Sequence, residues 1–148
     1  MRVAIGSDHA GFDLKERIKT LLNEWKVPYD DLGTSSTASV DYPDFAAAVA
    51  RRVTGGSADL GILVCGTGIG MSIAANKIRG IRAAVVWNEE SARLSRQHNN
   101  ANIMTIGGRT TPPELVPGIV SAFLNTGFEG GRHALRLDKI AALERKDS

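Results

Sequence analysis

Short apolar runs alternate along the chain with longer segments in which apolar residues recur at helical spacing. Val3-Ala4-Ile5 leads into a Ser/Asp/His/Gly turn, after which Leu14, Ile18, Leu21 and Leu22 return at intervals that mark one helix face. Asp13 and Glu16 predict a capping box at the start of that helix. Val27 to Gly33 predicts a short second strand in which Pro28 withholds one ladder donor. Phe45, Val49 and Val53 then mark a helix that ends before Gly55-Gly56. Leu60 to Cys65 is nearly continuous and apolar, the pattern of a parallel strand covered on both faces, and it enters Gly66-Thr67-Gly68-Ile69-Gly70 ahead of another helix. Arg82 to Val86 predicts a fourth strand and Asn102 to Gly107 a fifth, with a polar helix from Glu89 to Gln97 between them. Thr111-Pro112-Pro113-Glu114 predicts a second capping box, with prolines where a missing N–H costs little. A final helix from about Arg132 to Arg145 follows Gly130-Gly131.

Five strands alternating with helices, with no long linker and no repeat, predict one α/β domain over residues 1–148: a three-layer α/β/α sandwich around a five-stranded parallel sheet. Ligands of such sheets bind beyond the carboxyl ends of the strands. The Asp8-His9 loop, the Cys65 loop and the His98 segment are therefore expected to converge at that edge.

Composition narrows the function classes. Eighteen Lys and Arg against 16 Asp and Glu give a formal charge of +2, so the chain lacks the basic excess of a general nucleic-acid binder. The single cysteine, Cys65, excludes an intramolecular disulfide and fits a reducing cytoplasm. The opening Met1-Arg2-Val3-Ala4-Ile5-Gly6-Ser7-Asp8 reaches a carboxylate before a signal-peptide apolar region forms, and no later run approaches the ~18 apolar residues of a membrane span. Neither secretion nor membrane insertion is expected.

The glycine-rich loop allows successive N–H groups to face one anion, making residues Gly66, Thr67, Gly68, Ile69 and Gly70 an anion cradle. Tight strand–helix packing explains the same glycines. Met71 stands where a dinucleotide fingerprint has its third glycine, and no phosphate-loop lysine follows. Cys65, immediately before the cradle, reads either as a base or nucleophile or as a buried inert thiol. Asp8 and His9 offer a carboxylate and an imidazole for proton shuttling or ligand binding, and equally a turn-forming pair. His98 and Asn99 end the polar helix, where an imidazole also complements the helix dipole. Arg132 and Arg136 share a helix face and Arg109 lies in a Gly-Gly-Arg turn, so the three suit a phosphate or plain solvation. Taken together, these groups describe a small phosphorylated substrate undergoing proton transfer.

The chain also resembles the B-type ribose-5-phosphate isomerases, grouped with the galactose- and allose-6-phosphate isomerases. The resemblance runs through Gly6-Ser7-Asp8-His9-Ala10-Gly11, Asp41-Tyr42-Pro43, Cys65 to Lys77, Ser95-Arg96-Gln97-His98-Asn99 and Glu129-Gly130-Gly131-Arg132-His133, in family order. It implies a Rossmann-like sandwich and aldose–ketose isomerisation of ribose 5-phosphate, without metal or other cofactor. By that resemblance Cys65 is the base, residues 66–70 hold the oxyanion, and His98 with Thr67 opens the furanose ring. Asn99 and Asp8 bind hydroxyls, and His9, Arg109, Arg132 and Arg136 bind the phosphate. The family pattern also implies a homodimer or a dimer of dimers whose site lies between subunits, with His98, Arg109 and the C-terminal helix given across the interface. Some members place a glutamate base four positions after the cysteine; Ile69 stands there, which indicates the cysteine mechanism. An allose- or galactose-6-phosphate substrate and a non-catalytic phosphate- or nucleotide-binding module are the alternatives. The apolar positions Leu135, Ile140 and Leu143 of the final helix fit either a two-fold interface or packing on the sheet.

Overall fold

In a computed structural model that describes residues 1–146, five strands, β1 (Val3–Ser7), β2 (Tyr29–Asp31), β3 (Leu60–Cys65), β4 (Ala83–Val85) and β5 (Ile103–Gly107), form one parallel sheet in the order β2-β1-β3-β5-β4. The helices are α1 (Phe12–Glu24), α2 (Tyr42–Thr54), α3 (Ile69–Ala75), α4 (Glu89–Gln97), α5 (Val116–Asn125) and α6 (Arg132–Lys146), with a short 3₁₀ turn, Pro113–Leu115, before α5. The five predicted strands and the α/β/α layering are present, and the edge strands β2 and β4 are each shortened to three residues.

Alternation of side chains across the pleat divides the core. Val3, Ile5, Ile62, Val64, Met104 and Ile106 point to the face that α1, α4 and α5 cover with Ile18, Leu22, Ala92, Ile119 and Phe123. Ala4, Leu63, Cys65 and Ile103 point to the other face, covered by Ala46, Val49 and Ala50 of α2 and Met71 and Ala75 of α3. Central strands β1, β3 and β5 are buried along their whole length. That is why the run from Leu60 to Cys65 shows no polar alternation.

Two capping expectations fail. The first helix begins at Phe12 with Gly11 at its cap, so Asp13 sits inside the first turn; the Asp8 carboxylate instead accepts the Gly11 N–H at 3.0 Å. Thr111 does not cap either, because Pro112 and Pro113 start a 3₁₀ turn that lacks a side-chain cap. A reciprocal box does form at α4: Asn88 accepts the Ser91 N–H at 2.7 Å and the Ser91 hydroxyl accepts the Asn88 N–H at 3.2 Å.

Helix α6 lies apart from the sheet. Leu135, Ile140 and Leu143 are 67%, 51% and 62% exposed, so they do not cover it. The far end of the helix is tethered by the Gly80 N–H, which donates to the Glu144 carboxylate at 2.9 Å. Between α6 and the loop of residues 76–82 lies a groove of about 730 Å³, lined by Leu137, Ile140 and Leu143 among others.

Candidate functional site

The sheet order makes β1 and β3 neighbours whose onward connections leave in opposite directions, β1 toward β2 and β3 toward β4. This opens a crevice at their carboxyl ends. Asp8 and His9 follow β1 there, and Cys65 ends β3. Gly108 and Arg109 follow β5; pairing of Cys65 with Gly107 in register carries them beside the Cys65 loop, where their N–H groups donate to the Cys65 and Gly66 carbonyls at 2.8 and 3.0 Å.

Cys65 is 5% exposed and its Sγ accepts the Gly68 N–H at 3.1 Å. Gly68 makes that bond from the left-handed region, φ +81°, with the Ile106 backbone about 3.0 Å from where a Cβ would stand; another residue would meet strain and collision together. A donor aimed at sulfur supports negative charge there. Thr67 Oγ1 accepts the Ile69 N–H at 3.2 Å, which holds the hydroxyl at the mouth of the cradle.

His9 Nδ1 accepts the Val40 N–H at 3.2 Å. With Nδ1 accepting, a neutral ring carries its proton on Nε2. Val40 belongs to the loop between β2 and α2, and that loop is anchored from below by Lys15. The Lys15 ammonium is wholly buried, 2.7 and 2.9 Å from the two Asp31 carboxylate oxygens and 2.5 Å from the Thr34 carbonyl. Lys19 adds a 2.8 Å bond to Asp31. Burial opposes the Asp31 charge, yet the Lys15, Lys19 and Gly33 donors outweigh it and hold the carboxyl below its ordinary value. Neither Lys15 nor this anchoring stands out in the sequence, since a lysine on a helix usually reads as a solvated one.

The Asp8 carboxylate bond to Gly11 realises the turn reading for one of its oxygens. Tyr42, left outside the sequence candidates, packs its ring on the cradle: a Cβ on Gly70 would lie 2.7 Å from Tyr42 Cζ. The Asp41-Tyr42-Pro43 match was its only signal in the sequence.

His98, Asn99, Arg132 and Arg136 do not converge there, which corrects the expectation for His98. Helix α4 starts after the carboxyl end of β4 and returns to the amino end of β5, so its C-cap residue His98 and neighbouring Asn99 lie at the opposite edge of the sheet. Helix α5 makes the same return. It brings Glu129, Arg132, His133 and Arg136 to His98, and the Glu129 N–H donates to the Gln97 carbonyl at 3.1 Å. There the His98 and His133 rings stack, centroids 4.2 Å apart and 13° from parallel, with Glu129 Oε1 3.5 Å from His98 Nε2. Burial, followed by the charges of His98 and Arg132, lowers the His133 pKa. Five residues of strand at ~3.3 Å each put roughly 15 Å between the two edges. Arg109 also departs from expectation, since its side chain lies beside Gly66 of its own chain.

Comparison with known proteins agrees with this architecture. The family model described as Ribose/Galactose Isomerase matches residues 3–140. The chain belongs to that family. Among relatives, ribose-5-phosphate isomerase B of Escherichia coli strain K12 is 49% identical over 145 residues, 98% of this chain and 97% of that protein. The structure of Clostridium thermocellum ribose-5-phosphate isomerase B superposes with a TM-score of 0.99 at 49% identity, covering 100% of both chains. That of the Mycoplasma genitalium enzyme with bound ribulose 5-phosphate gives 0.93 at 45% identity, covering 98% of this chain and 97% of that one. Both neighbours of this Ribose/Galactose Isomerase member carry its Rossmann-like fold. Among the described residues no helix is long and apolar enough to cross a membrane.

Proposed function

We propose that this chain interconverts D-ribose 5-phosphate and D-ribulose 5-phosphate through an enediolate, with Cys65 as the base. The observation that carries the reading is the Gly68 N–H aimed at Cys65 Sγ at the head of a glycine cradle. The thiolate takes the proton from the carbon next to the carbonyl, and the C–H electron pair moves to form the enediolate while the carbonyl oxygen becomes negative. The 66–70 backbone supplies donors for that oxygen beside the buried Cys65 thiol. A proton passes from the neighbouring hydroxyl to the negative oxygen and the thiol returns its own proton to the former carbonyl carbon, so the carbonyl moves one carbon along and the isomerisation closes without net oxidation.

Ring opening needs a proton moved to the furanose oxygen, the role read for His98 with Thr67 alongside. Base and acid must both come within ~2.6–3.2 Å of adjoining atoms of one sugar, whereas their loops stand at opposite edges of one sheet. The reading therefore requires a second copy of the chain. A two-fold pairing brings the His98 edge of each protomer onto the Cys65 edge of the other, giving two composite sites in a homodimer, or four in a dimer of dimers. Exposed Ile69 and Ile73 on α3 and Leu135, Ile140 and Leu143 on α6 supply apolar surface for such a pairing. In the composite site Asn99 and Asp8 bind hydroxyls. The phosphate is held by His9 and Arg109 from one chain and by Arg132 and Arg136 from the other.

The test is turnover of ribose 5-phosphate by metal-stripped protein, with allose 6-phosphate and galactose 6-phosphate run in parallel. Pentose conversion that collapses in Cys65→Ser supports the reading. A higher kcat/KM for either hexose phosphate reassigns the substrate, and no turnover of any of the three by folded protein leaves a phosphate-binding module.

A further inference from the structure

We propose that His98, Glu129 and His133 form an inhibitory site for a zinc-class divalent transition-metal ion. The nitrogen and carboxylate ligand atoms of these three side chains all lie within 4.8 Å of one another. Two imidazoles and one carboxylate are the donor set of an open zinc site, with the fourth position left for water. Magnesium and calcium prefer oxygen donors throughout, so the set discriminates against them.

The cluster is held by backbone. Glu129 is tied to the end of α4 through Gln97, and the His133 N–H donates to the Gly130 carbonyl at 3.1 Å. Gly130 and Gly131, at φ +71° and +57°, make the reversal that folds the first turn of α6 back against His98; both values lie where L side chains are disfavoured.

Stacked, nearly parallel rings hold their nitrogen lone pairs in parallel planes, so a shared ion requires one ring to turn. His133 is 9% exposed, whereas the His98 side chain is 39% exposed; His98 is the one with room to move. Glu129 supplies negative charge, while Arg132 and Arg136, on α6 with His133, oppose a cation and limit its affinity.

A metal held here takes the His98 lone pair and turns its ring away from the sugar. The inhibitory part rests on the reading of His98 as the ring-opening group; the binding part does not. Because His98 serves the partner's Cys65 loop, an ion bound to one chain silences the site of the other.

Calorimetric titration of the dimer with zinc chloride tests the site directly. One ion per chain is expected, with affinity weakened in Glu129→Gln and in His133→Asn by more than the ~10-fold that loss of an outer-shell partner costs, and unchanged in Cys65→Ser. Cobalt bound in place of zinc is expected to show no thiolate-to-metal charge-transfer band. Isomerase turnover is expected to fall with the binding midpoint, to recover on chelation and to ignore magnesium. Zinc bound equally well by both the Glu129 and His133 variants, or lost in Cys65→Ser, overturns the site. Zinc binding at the cluster with undiminished turnover overturns the inhibition. A wild-type protein with no isomerase activity sinks the functional reading, and the calorimetry still decides the site.

Discussion

The two edges of the sheet carry different kinds of chemistry. At the carboxyl edge the groups are fixed by main chain: Sγ of Cys65 by the Gly68 N–H, His9 by the Val40 N–H, Asp8 by the Gly11 N–H. At the amino edge the groups are side chains set against one another, with two stacked imidazoles, a carboxylate and two arginines on a helix that barely touches the body of the fold. The first edge is built to stabilise charge at a fixed point, as a base and an oxyanion need. The second presents side chains, the His98 ring 39% exposed among them, that suit the proposed contacts with a ring oxygen and a phosphate. On the proposed reading neither edge alone is a complete catalyst.

The sharpest way to break this comparison is to disable each edge in a separate protein. Cys65→Ala and His98→Asn are each expected to lower turnover by about 10²–10⁴-fold, the usual worth of a positioned proton-transfer group. Mixing the two after dissociation and reassembly is expected to restore about a quarter of wild-type turnover, because half of the dimers are then mixed and each carries one intact site. Mixtures that stay as inactive as their parents place both groups in one chain's site and dissolve the two-edge division.

The next effect concerns assembly. Leu135→Glu with Leu143→Glu puts charge on the exposed apolar face of α6, and sedimentation should find monomers that keep a wild-type circular dichroism spectrum. Turnover is expected to fall by at least tenfold with them, since burying an unpaired carboxylate is heavily penalised. A double variant that stays dimeric assigns the interface elsewhere.

Much of the architecture was legible in the sequence because backbone physics writes it there. Leu60 to Cys65 could be read as a buried parallel strand, and the glycines after it as a cradle, since each signal is local. The capping boxes mislead for the same reason: Asp13 and Glu16 have the right spacing, but the helix already begins at Phe12, which puts Asp13 inside its first turn. The residue type of His98 marks it as a candidate but does not mark its edge of the sheet. Its position depends on strand direction and on α4 running back beneath the sheet, which no short motif records. The buried Lys15 was invisible, because its partners, Asp31 and Thr34, are 16 and 19 residues away.

Lys15 and Asp31 therefore offer a test of the rigid edge alone. Asp31→Ala leaves the buried ammonium with the Thr34 carbonyl and no carboxylate from Asp31, and is expected to cost about 3 kcal/mol in urea unfolding. Lys15→Met, which replaces charge by apolar volume, is expected to cost less. The sign of the pH dependence follows from the depressed Asp31 pKa. The folded state binds this proton less readily than the unfolded chain, so its contribution is fully present above the ordinary carboxylate value of ~3.9 and is lost as pH falls through the folded value. Wild type should lose stability more steeply than Asp31→Ala below about pH 4.

The smallest expected effect separates the His98 edge from the helix that bears it. Asn88 closes the reciprocal cap at the start of α4 and His98 ends the same helix, so the cap and the imidazole stand nine residues of helix apart. Asn88→Ala should cost about 1 kcal/mol, the usual worth of an N-cap side chain. The α4 register is held independently by Ala92 and Ser95, both buried, and by Arg96, which donates to the Ala101 carbonyl at 2.6 Å. Loss of the cap should therefore fray the first turn and leave His98 in place, so that kcat at saturating ribose 5-phosphate stays within about twofold of wild type while the unfolding midpoint falls. A larger fall in kcat with a small stability loss would instead mean that α4 transmits changes at one edge of the sheet to the other as a rigid rod, and the two edges would have to be treated as coupled within each chain.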